Sequence, residues 1–289
     1  MSAGASSGMT GRVTVVTGAT TGLGHEIALG LARRGATTVV VGRGSERSAA
    51  AAREIAATSG STTVESVGVE DLALRREQRA LCDELLRRYP RIDLLVNNAG
   101  GVFTRRELTA DGLERTFALN VLAPFVLTAR LADRLRESGP SRVVNISSGA
   151  HRGQRVDLAD LQGERKFSGW SAYGRSKLEL ILLTREYARR FQGTGPTVNA
   201  VHPGFVRTGF ARNNGGLTAA FVRLAAWIGG RSLVRGADTP LYVATDPSLA
   251  NVTGEYFSDR AVRPGSPESR DPDIARRLFE ACEALARDR

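Results

Sequence analysis

Seven short runs of β-branched and apolar residues, separated by segments with helical spacing, limit what this chain can fold into before any motif is considered. The runs are Val13 to Thr17, Thr38 to Gly42, Thr63 to Val67, Asp93 to Asn97, Arg142 to Ser147, Thr197 to His202, and a last one near Glu255 to Phe257. Between them lie Leu23 to Arg34, Ser48 to Thr58, Leu72 to Tyr89, Leu108 to Arg136 and Tyr173 to Phe191, with Asp273 to Ala286 closing the chain. In these longer segments apolar residues recur at helical intervals. Such alternation brings successive strands into parallel and lays helices over both faces of the sheet. RVTVV, TTVVV and DLLV are continuously apolar, as strands buried on both faces can be. The expectation is an α/β chain with one doubly wound parallel sheet of about seven strands and helices on both faces. One domain would span residues 11–289 behind a flexible tail at 1–10. At 289 residues and 42% hydrophobic, the chain can build one large open domain with a sizeable core.

Several function classes fall away. No apolar stretch approaches the ~20 residues of a membrane span. The opening MSAGASSGMTGR has no apolar signal core, so a cytoplasmic protein is expected. Cys82 and Cys282 stand far apart in helical contexts, which excludes a disulfide framework or a zinc knuckle. No His, Cys or carboxylate cluster has metal-ligand spacing, and no metal is expected. The net charge of +10 is spread over all thirds of the chain, and Arg75 to Arg91 mixes both signs. That describes a solvated surface rather than a nucleic-acid stripe. Of 40 lysines and arginines only Lys166 and Lys177 are lysines, which draws attention to both.

The first run leads into Thr17-Gly18-Ala19-Thr20-Thr21-Gly22-Leu23-Gly24 and then a helix. Glycines at a strand-to-helix turn let the backbone approach a pyrophosphate while the helix amides face its charge. Gly18, Thr20, Thr21, Gly22, Leu23 and Gly24 are therefore candidate cofactor contacts; a tight turn without a ligand would use the same residues. Dinucleotide folds often end the second strand with an acid that holds the adenosine ribose 2′-hydroxyl. Gly42 offers no carboxylate, and Arg43 presents a guanidinium fork suited to a 2′-phosphate, which favours NADP(H). The alternative is that Arg43 stacks on adenine or lies in solvent.

Tyr173-Gly174-Arg175-Ser176-Lys177 opens an amphipathic helix. Residues four apart share a face, and a cation beside the phenol would lower its pKa towards acid-base use at neutral pH. Alone, such a pair is more often a surface contact. Residues 205–236 carry glycine pairs around an apolar segment, which reads as a substrate lid or a buried helix. Ser148 and His202 do not make a hydrolase, because no G-x-S-x-G elbow is present.

Taken in order, TGATTGLG, Asn97-Asn98-Ala99-Gly100, Asn120 within a helix, Asn145-Ile146-Ser147-Ser148, YGRSK and HPGFVRT resemble the short-chain dehydrogenase/reductase family over roughly residues 10–287. SSGAHRG, DLADLQGERKFSGWSAYGRSKLELIL, VHPGFVRTGF and GADTPLYVATDPSLANVTGEYFSD resemble its retinol-dehydrogenase-like branch. The resemblance implies a Rossmann-type fold and a lipophilic alcohol or carbonyl substrate handled with NADP(H). It implies that Ser148 binds the carbonyl, Tyr173 is the acid or base, Lys177 binds the nicotinamide ribose, and Asn120 holds the water of a proton relay. Asn98, Ala99 and Gly100 would lie beside the adenosine ribose, and Asp71 and Leu72 beside adenine. Pro203, Gly204, Val206 and Thr208 would line the nicotinamide. The helices at Leu108 to Arg136 and Tyr173 to Phe191 resemble two that many members pair across a twofold axis, implying a homodimer. Two departures stand out. Many animal members have a membrane-anchoring start with no counterpart here, and Thr21 stands where NADP enzymes often carry a basic residue. A non-catalytic NADP-binding redox sensor is the competing reading; such a sensor has little need for Ser148, Tyr173, Lys177 and Asn120.

Overall fold

The structure, a computed structural model, describes residues 8–205 and 232–287. Eight strands form one sheet in the order β3-β2-β1-β4-β5-β6-β7-β8. They are β1 (Val13–Thr17), β2 (Thr37–Arg43), β3 (Val64–Val69), β4 (Leu94–Asn97), β5 (Arg142–Ile146), β6 (Thr197–His202), β7 (Tyr256–Ser258) and β8 (Ala261–Arg263). Every neighbouring pair is parallel except β7 with β8. The chain winds outward from β1 to β3 and then returns to place β4 on the other flank of β1. The crevice at the carboxyl ends of β1 and β4 is therefore the topological switch point, where such sheets bind ligands.

Strand residues alternate between two cores. Val15, Val39 and Val41 face one, with Leu81, Leu85, Phe117, Leu122, Leu182 and Tyr187. Val16 and Val40 face the other, with Ile27, Leu31, Ile55, Val243 and Phe257. Helices α1 (Gly22–Ala32) and α2 (Ser45–Ser59) cover the second core, and α3 (Arg75–Arg88) covers the first. Met9 is buried and its N–H donates to the Arg34 carbonyl at 3.3 Å, so the described part of the expected tail is anchored.

The stretch expected as one helix from Leu108 to Arg136 is divided into α4 (Arg115–Phe117), a π-helical turn (Ala118–Leu122), α5 (Ala123–Arg130) and α6 (Ala132–Glu137). Glu114 starts it, its carboxylate accepting from the Thr116 and Phe117 N–H groups at 2.8 Å each. Pro124 has no N–H to give to the Asn120 carbonyl four residues earlier, and its ring crowds that carbonyl, so the helix widens at Asn120. Helix α7 (Gly169–Arg190) begins four residues before Tyr173. Two elements were not expected. Helix α8 (Leu233–Thr245) carries Gly236 and Pro240, both poor interior helix residues. Strand β8 returns from β7 through Asp259 and Arg260, both in the left-handed region at φ 54° and 56°, so the hairpin lacks the usual Asn-Gly signature. The sheet thus has eight strands rather than about seven.

Helix α9 (Pro272–Ala286) packs on α5 and α7. Phe279 makes edge-on ring contacts with Phe125 and Tyr187, each at 4.9 Å, and the Arg190 guanidinium stacks 3.7 Å over it. Asp271 caps the start of α9. At its other end Arg75 donates to the Leu285 and Arg287 carbonyls and Arg79 to that of Ala286, placing cations at the negative end of the helix dipole. The apolar face formed by Phe125 of α5 and Tyr187 of α7 is therefore covered by the chain's own last helix.

Glu179 is buried on α7, 3.7 Å from the Arg175 guanidinium, with the carboxylate of Glu114 opposing it. Burial, with Glu114 adding to it against Arg175, pushes its carboxyl from the ordinary 4.5 to about 8. The unfolded chain gives up this proton at lower pH, so the stability it supports is complete below about pH 4.5 and is lost as pH rises through about 8. Glu179→Gln, which stays neutral, should flatten the decline in urea-unfolding stability between these limits. An unchanged slope would remove Glu179 as its cause.

Candidate active site

Two sequence motifs meet at the switch point. The Thr17 hydroxyl oxygen accepts from the N–H groups of Asn98 at 3.1 Å and Ala99 at 3.0 Å. The Asn98 side-chain amide donates to the carbonyls of Thr17 at 2.9 Å and Gly18 at 3.1 Å. Gly18 and Gly22 both adopt φ +64°, and a side chain on Gly18 would come within 2.9 Å of the Ala99 Cα. Space beside Gly22 is open. Helix α1 then starts at Gly22, with no side-chain cap from Thr21 before it and no acid in its first turn, so its leading N–H groups are available to an anion. A dinucleotide pyrophosphate fits this cradle. Arg43 ends β2 exposed, its guanidinium without a hydrogen bond or ion pair to any described residue. Asp71 is engaged in the fold: its carboxylate accepts from the Ala73 N–H at 3.0 Å and pairs with Arg115 at 2.7 Å, and Leu72 beside it is buried.

The second half of the site lies at the carboxyl end of β5. Ser148 caps a short 3-10 turn (Gly149–His151), its hydroxyl accepting from the Ala150 N–H at 3.2 Å. The Ser148 side chain acts on the Tyr173 phenol, lowering its pKa. Lys177 Nζ lies 5.6 Å from the Tyr173 ring centroid and donates to the Ile146 carbonyl at 2.9 Å. Asn120 is held by the Gly101 backbone, accepting from its N–H and donating to its carbonyl at 2.9 Å each, and also donates to Ser176 Oγ at 3.0 Å. A Cβ on Gly100 would lie 3.1 Å from Asn120 Oδ1 and 3.5 Å from Lys177 Nζ, so this glycine keeps open the space between amide and ammonium. Gly174 lets α7 press against the Ala150 carbonyl, which a Cβ would approach to 2.7 Å. The four residues singled out for chemistry are thus brought together.

Their ionisation departs from expectation. Burial pushes the Tyr173 phenol up to about 12, against a lowering by Ser148, and burial pulls the Lys177 ammonium down to about 8. A phenol lowered by its lysine neighbour is not found: Lys177 faces the ring and the Ile146 carbonyl, and desolvation dominates both groups.

Other residues fall into place. Pro203 and Gly204, the latter at φ +83°, follow β6, whereas Val206, Thr208 and most of the expected lid lie outside the described residues. His151 is buried: its Nδ1 is 2.7 Å from the Ser148 carbonyl and its ring meets Tyr256 edge-on. Burial lowers its pKa, so the neutral ring donates to that carbonyl and fixes the backbone of Ser148. His25 lies 3.7 Å from the Glu54 carboxylate. The sequence reading missed Trp170, an exposed aromatic whose ring stands edge-on to Tyr173 at 6.5 Å. Its spacing, three residues before Tyr173 on the same helix face, was the available sign. Among the described residues no group of acids, histidines or cysteines could hold a metal, and no helix is long and apolar enough to cross a membrane.

A phosphate cradle and a buried tyrosine-lysine pair opening on one crevice define an oxidoreductase of CH–OH and C=O groups. The chain belongs to the short-chain dehydrogenase family, whose sequence description, "short chain dehydrogenase", matches residues 12–216. It resembles the retinol dehydrogenases of that family. Human retinol dehydrogenase 13 is 39% identical over 276 residues, covering 93% of this chain and 82% of the human protein. A Streptomyces sp. (strain C5) protein assigned as daunorubicin C-13 ketoreductase DnrU is 39% identical over 284 residues, covering 97% and 94%. Among solved structures, the Pseudomonas aeruginosa RhlG/NADP active-site complex superposes with a TM-score of 0.68 at 28% identity, covering 86% of this chain and 94% of that one.

Proposed function

We propose that the chain is an NADP(H)-dependent oxidoreductase that interconverts a lipophilic alcohol and its aldehyde or ketone, with Tyr173 as acid and base. The observation that carries this reading is the meeting of Ser148, Tyr173, Lys177 and Asn120 beside the glycine loop. Bound NADPH would supply a hydride to the carbonyl carbon. Ser148 and Tyr173 would hold the carbonyl oxygen between their hydroxyls. A phenol pushed up to about 12 is protonated at neutral pH, so Tyr173 gives its proton to the oxygen as negative charge develops there. Lys177 and a water held by Asn120, on either side of the space kept by Gly100, would return a proton to the tyrosine. Burial of all three excludes bulk water from the exchange. In the oxidative direction Tyr173 must first lose its proton, so that rate should climb with pH while reduction proceeds at neutrality.

For the cofactor, the Gly18 to Gly24 loop and the α1 amides would hold the pyrophosphate, Asn98 to Gly100 the adenosine ribose, and Arg43 the 2′-phosphate. Pro203, Gly204, Val206 and Thr208 remain the proposed nicotinamide lining, and a cytoplasmic location remains part of the reading. Relatives named for retinol and daunorubicin support a lipophilic substrate. The test is a panel of carbonyls and alcohols followed through nicotinamide absorbance, with reduced-cofactor binding measured by fluorescence. Arg43→Ala should weaken NADPH by about 1.5 to 3 kcal/mol, tenfold or more, and hardly change NADH. Equal affinity of the wild type for both cofactors would contradict the assignment.

A further inference from the structure

The geometry points to Thr20 as a steric determinant of cofactor choice, its side chain filling the space that any side chain at position 42 would need. This rests on the NADP reading, in which position 42 is where an NAD-binding carboxylate would stand. The Ala19 N–H donates to the Val41 carbonyl at 3.0 Å, which fastens the glycine loop to the end of β2 and sets residue 20 over residue 42. Gly42 does not adopt the left-handed conformation, so its backbone would accept other residues. Space is what forbids them. A Cβ there would overlap the Thr20 Cγ2 methyl and lie 3.3 Å from Thr20 Cβ and 3.1 Å from Ser48 Oγ.

Neither neighbour yields easily. Ser48 is fully buried and its hydroxyl donates to the Gly44 carbonyl at 2.9 Å. Thr20 is β-branched, so of its three staggered χ1 wells only the one that turns its hydrogen towards Gly42 would relieve the overlap. Cofactor choice is therefore set twice in adjacent residues. Arg43 attracts a 2′-phosphate, and the volume of Thr20 keeps out the carboxylate that would select a 2′-hydroxyl.

The test is a double-mutant cycle with two readouts, melting temperature and the dissociation constants of NADH and NADPH by nicotinamide fluorescence. Gly42→Ala should lower the melting temperature by about 3 to 8 °C through overpacking, and adding Thr20→Ala should restore most of it. Gly42→Asp should lose NADPH yet gain little for NADH, whereas Gly42→Asp with Thr20→Ala should bind NADH about tenfold more tightly than Gly42→Asp alone. A Gly42→Ala protein that melts with the wild type, or a Gly42→Asp protein that binds NADH as well as the double variant, would overturn the proposal. A wild type without preference for NADPH would instead sink the cofactor reading, and the melting cycle, which needs no cofactor, separates the two failures.

Discussion

Tyr173→Phe should lower turnover by ~10² to 10⁴, the usual worth of general acid-base catalysis, while NADPH affinity stays close to wild type. The substitution removes the proton that the mechanism transfers and keeps the ring that packs against Trp170 and lies under Lys177. Ser148 would still bind the carbonyl oxygen, so KM should move far less than kcat. Lys177→Ala should damage both terms, since that ammonium would serve the ribose as well as the proton path. Single-turnover measurements with prebound NADPH would isolate the chemical step. A Tyr173→Phe enzyme working near the wild-type rate would show that the proton comes from another group.

The largest expected loss of stability lies away from the chemistry. Phe279→Ala should cost about 3 to 5 kcal/mol in urea unfolding, the range for deleting a buried aromatic that leaves a cavity. Phe279 is enclosed by Phe125, Tyr187 and the Arg190 guanidinium, and Leu278 and Cys282 beside it are fully buried, so the site has little means to collapse. Phe279→Leu, which keeps most of the volume, should recover about half of the loss. A Phe279→Ala chain as stable as the wild type would show that α9 is only loosely held.

Much of the architecture was legible because a buried parallel strand carries its own signature: β1 and β6 begin and end where the residue pattern placed them. Both ends of the site were legible for a related reason. The glycine loop and YGRSK are local devices, and each residue's neighbours in sequence reveal its conformation. What escaped depends on partners. Helix α8 is stabilised by the sheet it covers despite Gly236 and Pro240, and propensity alone argues against it. The break at Asn120 follows from Pro124, a residue that a helical reading tolerates at the start of a segment but not in its middle. The ionisation of Tyr173 also resisted prediction: spacing places Lys177 on the same face, yet burial, which no local pattern reports, governs the phenol. In the same way the periodicity of α7 announced an apolar face without saying that α9 would occupy it.

That occupancy bears on where such an enzyme can work. The helix carrying Tyr173 and Lys177 is braced from behind by the tail of its own chain, with Arg75 and Arg79 holding the far end. An active-site scaffold completed by a neighbouring subunit falls apart on dilution, and its rate per molecule falls with it. Here the brace travels with the catalyst, so this support for the helix survives dilution whatever the oligomeric state.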